Sequence, residues 1–153
     1  MALQVSRDTI IDELTEYFYD KRYWLLVCDC GFAKIDKLKA IYPDRVINCG
    51  VMEQGTVGIA SGMAQAGLIP IVYSIASFIV YRALEQIRND VVLADRNVKI
   101  IGNGTGDYFK SLGNCHWIKN DDISLMNLIG LPVYEGNQFE EWITSEMGGY
   151  IRV

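Results

Sequence analysis

Residues 45–67 read RVINCGVMEQGTVGIASGMAQAG, and their order decides the fold. Arg45–Asn48 is a short apolar run of strand type. Cys49-Gly50 breaks it, and Val51–Ala66 continues with helical composition up to Gly67 as its stop. A strand that feeds a helix so directly is the repeating unit of an alternating α/β domain. The helix carries Gly55, Gly58 and Gly62, each costing about 1 kcal/mol relative to alanine. Their spacing of i, i+3 and i+7 puts them on one face, where another backbone can come close. Two readings of that face stand side by side: tight packing on the domain's own sheet, or contact between subunits.

Working outward, five further apolar runs repeat the strand signal: Tyr23–Cys28, Ile69–Ser74, Val98–Gly102, Pro132–Tyr134 and Tyr150–Val153. Several are nearly continuous in hydrophobicity, as strands covered on both faces of a parallel sheet are. Helix-period segments lie between them. Ser6 is placed to cap one carrying Ile10, Ile11, Leu14, Tyr17 and Phe18. Asn120 or Asp121 opens another with Ile123, Leu125, Met126 and Leu128, and Asn137 a third with Phe139, Trp142, Ile143 and Met147 that Gly148 ends. Pro43, Pro70 and Pro132 all stand just before or at the start of strands, where no helix runs through. Residues 1–153 therefore predict one doubly wound α/β domain, a mostly parallel six-stranded sheet with helices on both faces.

Composition narrows the function classes. Of 153 residues half are hydrophobic, so the chain fills a core and is not disordered in bulk. Fourteen Lys and Arg against nineteen Asp and Glu give a net charge of −5, with no run of three basic residues. Nucleic acid is not an expected partner. The N-terminal MALQVSRDTIIDE has no signal-peptide core, and the longest apolar stretches fall short of a membrane span. With four cysteines in that setting, the expectation is a reduced, cytoplasmic protein without a membrane partner.

Common catalytic patterns are missing. A nucleophile–histidine–acid triad has only His116 to build on, and neighbouring Cys115 is not expected to aim at it. Cys28, Cys30, Cys49, Cys115 and His116 match no usual zinc spacing, so no metal site is expected among them. The Gly102–Asp107 segment is rich in glycine but lacks the lysine and hydroxyl residue of a phosphate loop. What remains is Glu53, an acid after a strand at the mouth of the small-residue helix. A carboxylate in a first turn is often a simple charge–dipole pair. Here its neighbours are small or apolar, so it should be partly buried and need a partner. Burial raises and the helix N-terminus lowers a carboxyl pKa, which leaves its charge open at this stage.

These residues resemble the pyrimidine-binding domain of the transketolase family of thiamine-diphosphate enzymes. The resemblance runs from about residue 24 to residue 153. It rests on Arg45–Gln54, on Val57–Ala64, on Ser77-Phe78-Ile79-Val80-Tyr81-Arg82-Ala83-Leu84-Glu85-Gln86-Ile87-Arg88-Asn89, on His116 with Asp122–Met126, and on the closing Tyr150–Val153. It implies a thiamine diphosphate cofactor. Glu53 would be the catalytic carboxyl that meets the aminopyrimidine, and Phe78 the ring on which that aminopyrimidine stacks. It implies that Tyr81 and Ile75 complete the wall, with core packing as the other reading. Asp29 would lie near the cofactor or cap its loop, and His116 would face the substrate or be structural.

The same resemblance marks two departures. Gly104 stands where transketolases carry a histidine toward the sugar phosphate, and Leu112 where they carry an aspartate that reads a hydroxyl. Glycine at 104 would open the loop to a bulkier acceptor. No G-D-G motif for a divalent cation and diphosphate is present. The expectation is a split enzyme: a separate diphosphate-binding subunit holds Mg²⁺ or Ca²⁺, and the pair assembles as an α2β2 heterotetramer. The expected reaction is ketol or acyl transfer, or carboligation, from a ketose or 2-keto acid donor to an aldehyde. Pentose-phosphate transketolase is the alternative, and a non-catalytic module on the same fold is an alternative of another class.

Overall fold

The computed structural model describes residues 4–153. Six strands form one sheet: β1 (Tyr23–Val27), β2 (Val46–Asn48), β3 (Ile69–Ile75), β4 (Lys99–Asn103), β5 (Val133–Tyr134) and β6 (Gly149–Arg152). Their order is β2-β1-β3-β4-β6-β5, and every pairing is parallel, so the sheet is wholly rather than mostly parallel. The six expected strands are all present within a residue or so of their expected ends.

Alternation along the strands sorts the core into two layers. Leu25, Val27, Ile71, Tyr73, Ile101 and Ile151 face one side, under α1 (Ile10–Thr15), α2 (Lys34–Ile41) and α6 (Phe139–Thr144). Leu26, Cys28, Val72, Ile100 and Tyr150 face the other, under α3 (Glu53–Gln65), α4 (Ala76–Gln86), a π-helical turn at Ile87–Val92, and α5 (Asp121–Ile129). Helices thus cover both faces, as the near-continuous hydrophobicity of the strands requires.

Three helix ends differ from expectation. The first helix begins at Ile10 after a turn in which the Ser6 Oγ accepts from the Asp8 N–H at 3.2 Å, and it ends at Thr15. Asn137 lies inside a 3₁₀ turn, Gly136–Gln138, that Glu135 and Gln138 cap reciprocally. Gly148 does not end α6, which stops at Thr144. It sits instead where a Cβ would lie 2.7 Å from the Arg96 carbonyl oxygen. The membrane expectation meets one finding: among the described residues no helix is long and apolar enough to cross a bilayer.

Lys99 opens β4 with no exposed surface, its ammonium donating to the carbonyls of Ser145 at 2.8 Å and Met147 at 2.6 Å. It ties the β4 start to the segment leading into β6. Burial lowers its pKa from 10.5 to about 8. Between those values the unfolded chain holds a proton the folded one has released, so Lys99's contribution to stability rises with pH there. The thiols act oppositely: burial raises Cys28 to about 11 and Cys30 to about 12 from 9.0, so above pH 9 they favour unfolding. Comparing wild type with Lys99→Met cancels the thiols. Urea titrations at several pH values should show wild type gaining roughly 2–3 kcal/mol on the variant between pH 7 and 10. A difference that does not change with pH would refute this account.

Candidate active site

Building from β2, Asn48 fixes the turn that delivers the acid. Its Oδ1 accepts from the backbone N–H of Gly50 at 2.9 Å and of Asp29 at 3.2 Å, while its Nδ2 donates to Asp29 Oδ1 at 3.0 Å. Gly50 takes φ +76°, a left-handed conformation that suits glycine. The chain then reverses and α3 begins at Glu53, with the Thr56 hydroxyl donating to the Met52 carbonyl at 3.0 Å. Glu53 is only 3% exposed, so the expected burial of this acid is present, and so is the partner that burial demands. Arg82 Nη1 donates to both carboxylate oxygens, at 3.0 and 3.2 Å.

The opposite wall comes from α4. Ile75 precedes the helix, and Phe78 and Tyr81 follow on the same face at steps of three. Phe78 and Ile75 are half-buried, and Tyr81 is 51% exposed, which removes the core-packing reading for Tyr81. Its hydroxyl donates to Asp121 Oδ2 at 2.7 Å, and this bond with burial raises its pKa to about 12. The Phe78 ring lies 4.8 Å from the imidazole of His116 and under the Arg82 guanidinium, whose carbon is 4.0 Å from the ring centroid. Glu53 and Arg82, with Val51, Met52, Gln54 and Gly55, line an open depression of about 530 Å³.

His116 is half-buried on a loop that Ser77 holds to α4 by donating to the Cys115 carbonyl at 2.9 Å. Contrary to expectation, Cys115 does meet its neighbour, with Sγ 3.2 Å from His116 Nδ1, because a turn brings the His116 N–H back to the Gly113 carbonyl at 3.0 Å. No acid hydrogen-bonds that imidazole among the described residues, so a triad still lacks its third member. Asp29 stands at the β1 end with φ +49°, its carboxylate bound by Asn48. The geometry gives it the loop-capping contact.

Two further expectations are corrected. Gly104 does not open the loop, because the Phe109 ring fills the space: a Cβ at 104 would lie 2.1 Å from it, and φ is +75°. The glycine face of α3 does not pack on the sheet either. Gly55, Gly58 and Gly62 are exposed, a Cβ at Gly58 or Gly62 would touch nothing, and the buried face is Glu53, Thr56, Val57 and Ala60. Arg82 is the site residue the sequence left unassigned. Its spacing of four from Phe78 on a helix was the available signal.

The parallel sheet with helices on both faces is a doubly wound domain, and Glu53, Arg82 and Phe78 come together near the carboxyl ends of its strands, where such folds place ligands. Comparison with known proteins makes this specific. The sequence model described as "Transketolase, pyrimidine binding domain" matches residues 21–109, and the chain belongs to that family. It is 35% identical over 132 residues to the 6-deoxy-6-sulfo-D-fructose transketolase subunit SqwH of Clostridium sp. (strain MSTE9), covering 84% of this chain and 41% of that protein. It is 37% identical over 98 residues to a subunit of the apulose-4-phosphate transketolase of Actinobacillus succinogenes, covering 64% of this chain and 31% of that one. The chain thus spans less than half the length of these relatives. Among solved structures, one described as a split gene transketolase, inactive beta4 tetramer, superposes with a TM-score of 0.80 at 26% identity, over 95% of this chain and 50% of that one. Transketolase from Leishmania mexicana gives the same TM-score at 16% identity over 99% of this chain and 25% of that one, a likeness of fold alone.

Proposed function

We propose that this chain supplies the pyrimidine-binding half of a thiamine-diphosphate-dependent transketolase-type enzyme and acts with a separate diphosphate-binding subunit. The observation that carries the reading is the pairing of a 3%-exposed Glu53 carboxyl at the α3 mouth with the half-open Phe78 ring. A flat, hydrogen-bonding guanidinium already lies between them, so the space fits a flat aminopyrimidine. Bound thiamine diphosphate would supply the carbanion chemistry. Glu53 would exchange a proton with the ring nitrogen, Phe78 would support the ring face, and Ile75 and Tyr81 would border it. His116, in contact with Phe78, would face the substrate, and Asp29 would hold the adjoining loop. Mg²⁺ or Ca²⁺ would be held mainly by the partner's diphosphate-binding domain.

Both relatives act, by their names, on specialised ketoses, which supports a ketose donor with an aldehyde acceptor over general pentose-phosphate turnover. Leu112, 57% exposed, and the filled Gly104 loop offer neither of two polar sugar contacts. A solved relative described as a split gene transketolase, inactive beta4 tetramer, supports the view that this subunit alone is inactive, and the working form would be an α2β2 assembly with the partner. The test is reconstitution. Alone, the chain should show no ketol transfer. With a diphosphate-binding partner, thiamine diphosphate and Mg²⁺, it should transfer a ketol group from a ketose. Turnover by the chain alone, or efficient use of xylulose 5-phosphate with ribose 5-phosphate in preference to other ketoses, would overturn the respective half of the proposal.

A further inference from the structure

Glu53 and Phe78 each meet the same third group. The Arg82 guanidinium donates to both Glu53 oxygens at 3.0 and 3.2 Å while its carbon lies 4.0 Å from the Phe78 ring centroid. These are the two contacts an aminopyrimidine would need, a ring face below and a carboxyl at its edge. A guanidinium is the side chain closest to that ligand in kind, being planar, delocalised and edged with N–H donors. The helix geometry aims it there: Arg82 follows Phe78 by four residues on α4, and long helical side chains lean back over the preceding turn.

The two partners of this ion pair differ in freedom. Glu53 is 3% exposed at a helix start and has nowhere to go, whereas the Arg82 side chain is 46% exposed at the lip of the depression. A buried carboxylate left without a partner is costly, so the cofactor-free chain needs something in that place. Two flat groups cannot lie on the same face of Phe78 at once.

We propose that Arg82 is a displaceable occupant of the pyrimidine site: it fills the place of the aminopyrimidine in the cofactor-free chain and swings to solvent when that ring docks. This rests on the reading of Glu53 and Phe78 as the pyrimidine site. It makes Arg82 a positioning residue that keeps Glu53 paired and the Phe78 face dry until the ligand arrives, at the expense of some ligand affinity. The exchange requires no covalent step. One set of hydrogen bonds and one stacked plane replace another.

The experiment uses the full chain and a neutral probe, 4-amino-2,5-dimethylpyrimidine, so that loss of a positive charge does not alter attraction to diphosphate. In ¹⁵N-labelled wild type the Arg82 Nε–Hε resonance should be displaced by the Phe78 ring current. It should return to the free-arginine position as the probe saturates. Arg82→Ala and Arg82→Gln should bind the probe roughly three- to tenfold more tightly, reflecting removal of one half-exposed ion pair and one stacked cation. Binding that leaves the Arg82 resonance unmoved, or that is unchanged or weaker in both variants, overturns the displacement. In that case the site reading stands if Glu53→Gln and Phe78→Leu weaken the probe. Probe binding indifferent to those two changes, or absent from every chain at millimolar concentration, removes the site reading and the displacement with it.

Discussion

Glu53→Gln, assayed with the partner subunit and cofactor, is expected to lower turnover by about 10²–10³-fold or more. Glutamine keeps the volume and can still accept a hydrogen bond from Arg82, so the fold and the α3 start should survive. What it lacks is the ability to exchange a proton with a ring nitrogen, which the proposed role of Glu53 would require in every cycle. Because Glu53 is 3% exposed, water has little access to take over that role. The loss should therefore fall on kcat, with the melting temperature close to wild type. A near-wild-type rate in the variant would show that the acid is structural, a dipole partner for α3 and an anchor for Arg82 and nothing more.

Much of this was legible because the fold is written in local patterns. Continuous apolar runs mark strands covered twice, and all six lie where those runs predict. The helices were less legible for two physical reasons. The segment α4 follows β3 with no turn residue between Ile75 and Ala76, so one apolar stretch holds the end of a strand and the start of a helix. In α2, KIDKLKAI buries only Ile35 and Leu38, too thin an apolar stripe to stand out from a loop.

The site divides in the same way. Glu53 was legible as an acid at the mouth of a small-residue helix, and Phe78 only through the resemblance of residues 77–89 to the transketolase family. Their shared cation was not, because Arg82 reaches Glu53 from another helix, 29 residues along the chain. Gly104 shows the converse error. Read in one dimension, a glycine in place of histidine leaves space, but a residue five positions on folds back to fill it. Phe109 packs there, and the positive φ at Gly104 lets the loop close over it. Glycine number and spacing also said nothing of which way the α3 face points. That followed only when Glu53, Thr56, Val57 and Ala60 were seen to occupy the sheet side.

Asp122→Ala is expected to be the most damaging single change to stability, at about 3–5 kcal/mol. The Asp122 carboxylate has no exposed surface and accepts from the Tyr150 hydroxyl at 2.9 Å and from Arg152 Nε at 2.7 Å. Arg152, 11% exposed in its side chain, also donates to Glu135 at 3.0 Å, to Asn120 Oδ1 at 2.9 Å and to the Lys119 carbonyl at 3.3 Å. One acid thus fastens the start of α5 to β6. Gly102 leaves the room that Tyr150 occupies, since a Cβ there would lie 2.0 Å from its hydroxyl oxygen. Alanine would leave a nearly buried guanidinium facing a cavity and a buried hydroxyl without its acceptor. At this chain length the loss corresponds to a fall in melting temperature of about 8–15 °C. Asp122→Asn keeps an acceptor and should lose less. Glu135→Ala, which removes the 54%-exposed partner of the same arginine and its cap on the Gly136–Gln138 turn, should cost about 1–2 kcal/mol, well below Asp122→Ala. Thermal denaturation of the three variants side by side decides it: equal losses for Asp122→Ala and Glu135→Ala would mean that the buried carboxylate is not the fastening. The effect reaches the site through the backbone, since the Val153 carbonyl that follows β6 accepts from the N–H groups of Gly104 at 2.7 Å and Thr105 at 3.1 Å. Loosening β6 should therefore free the 104–109 loop before it disturbs Glu53, and ligand binding at Glu53 should weaken only as far as the folded fraction falls.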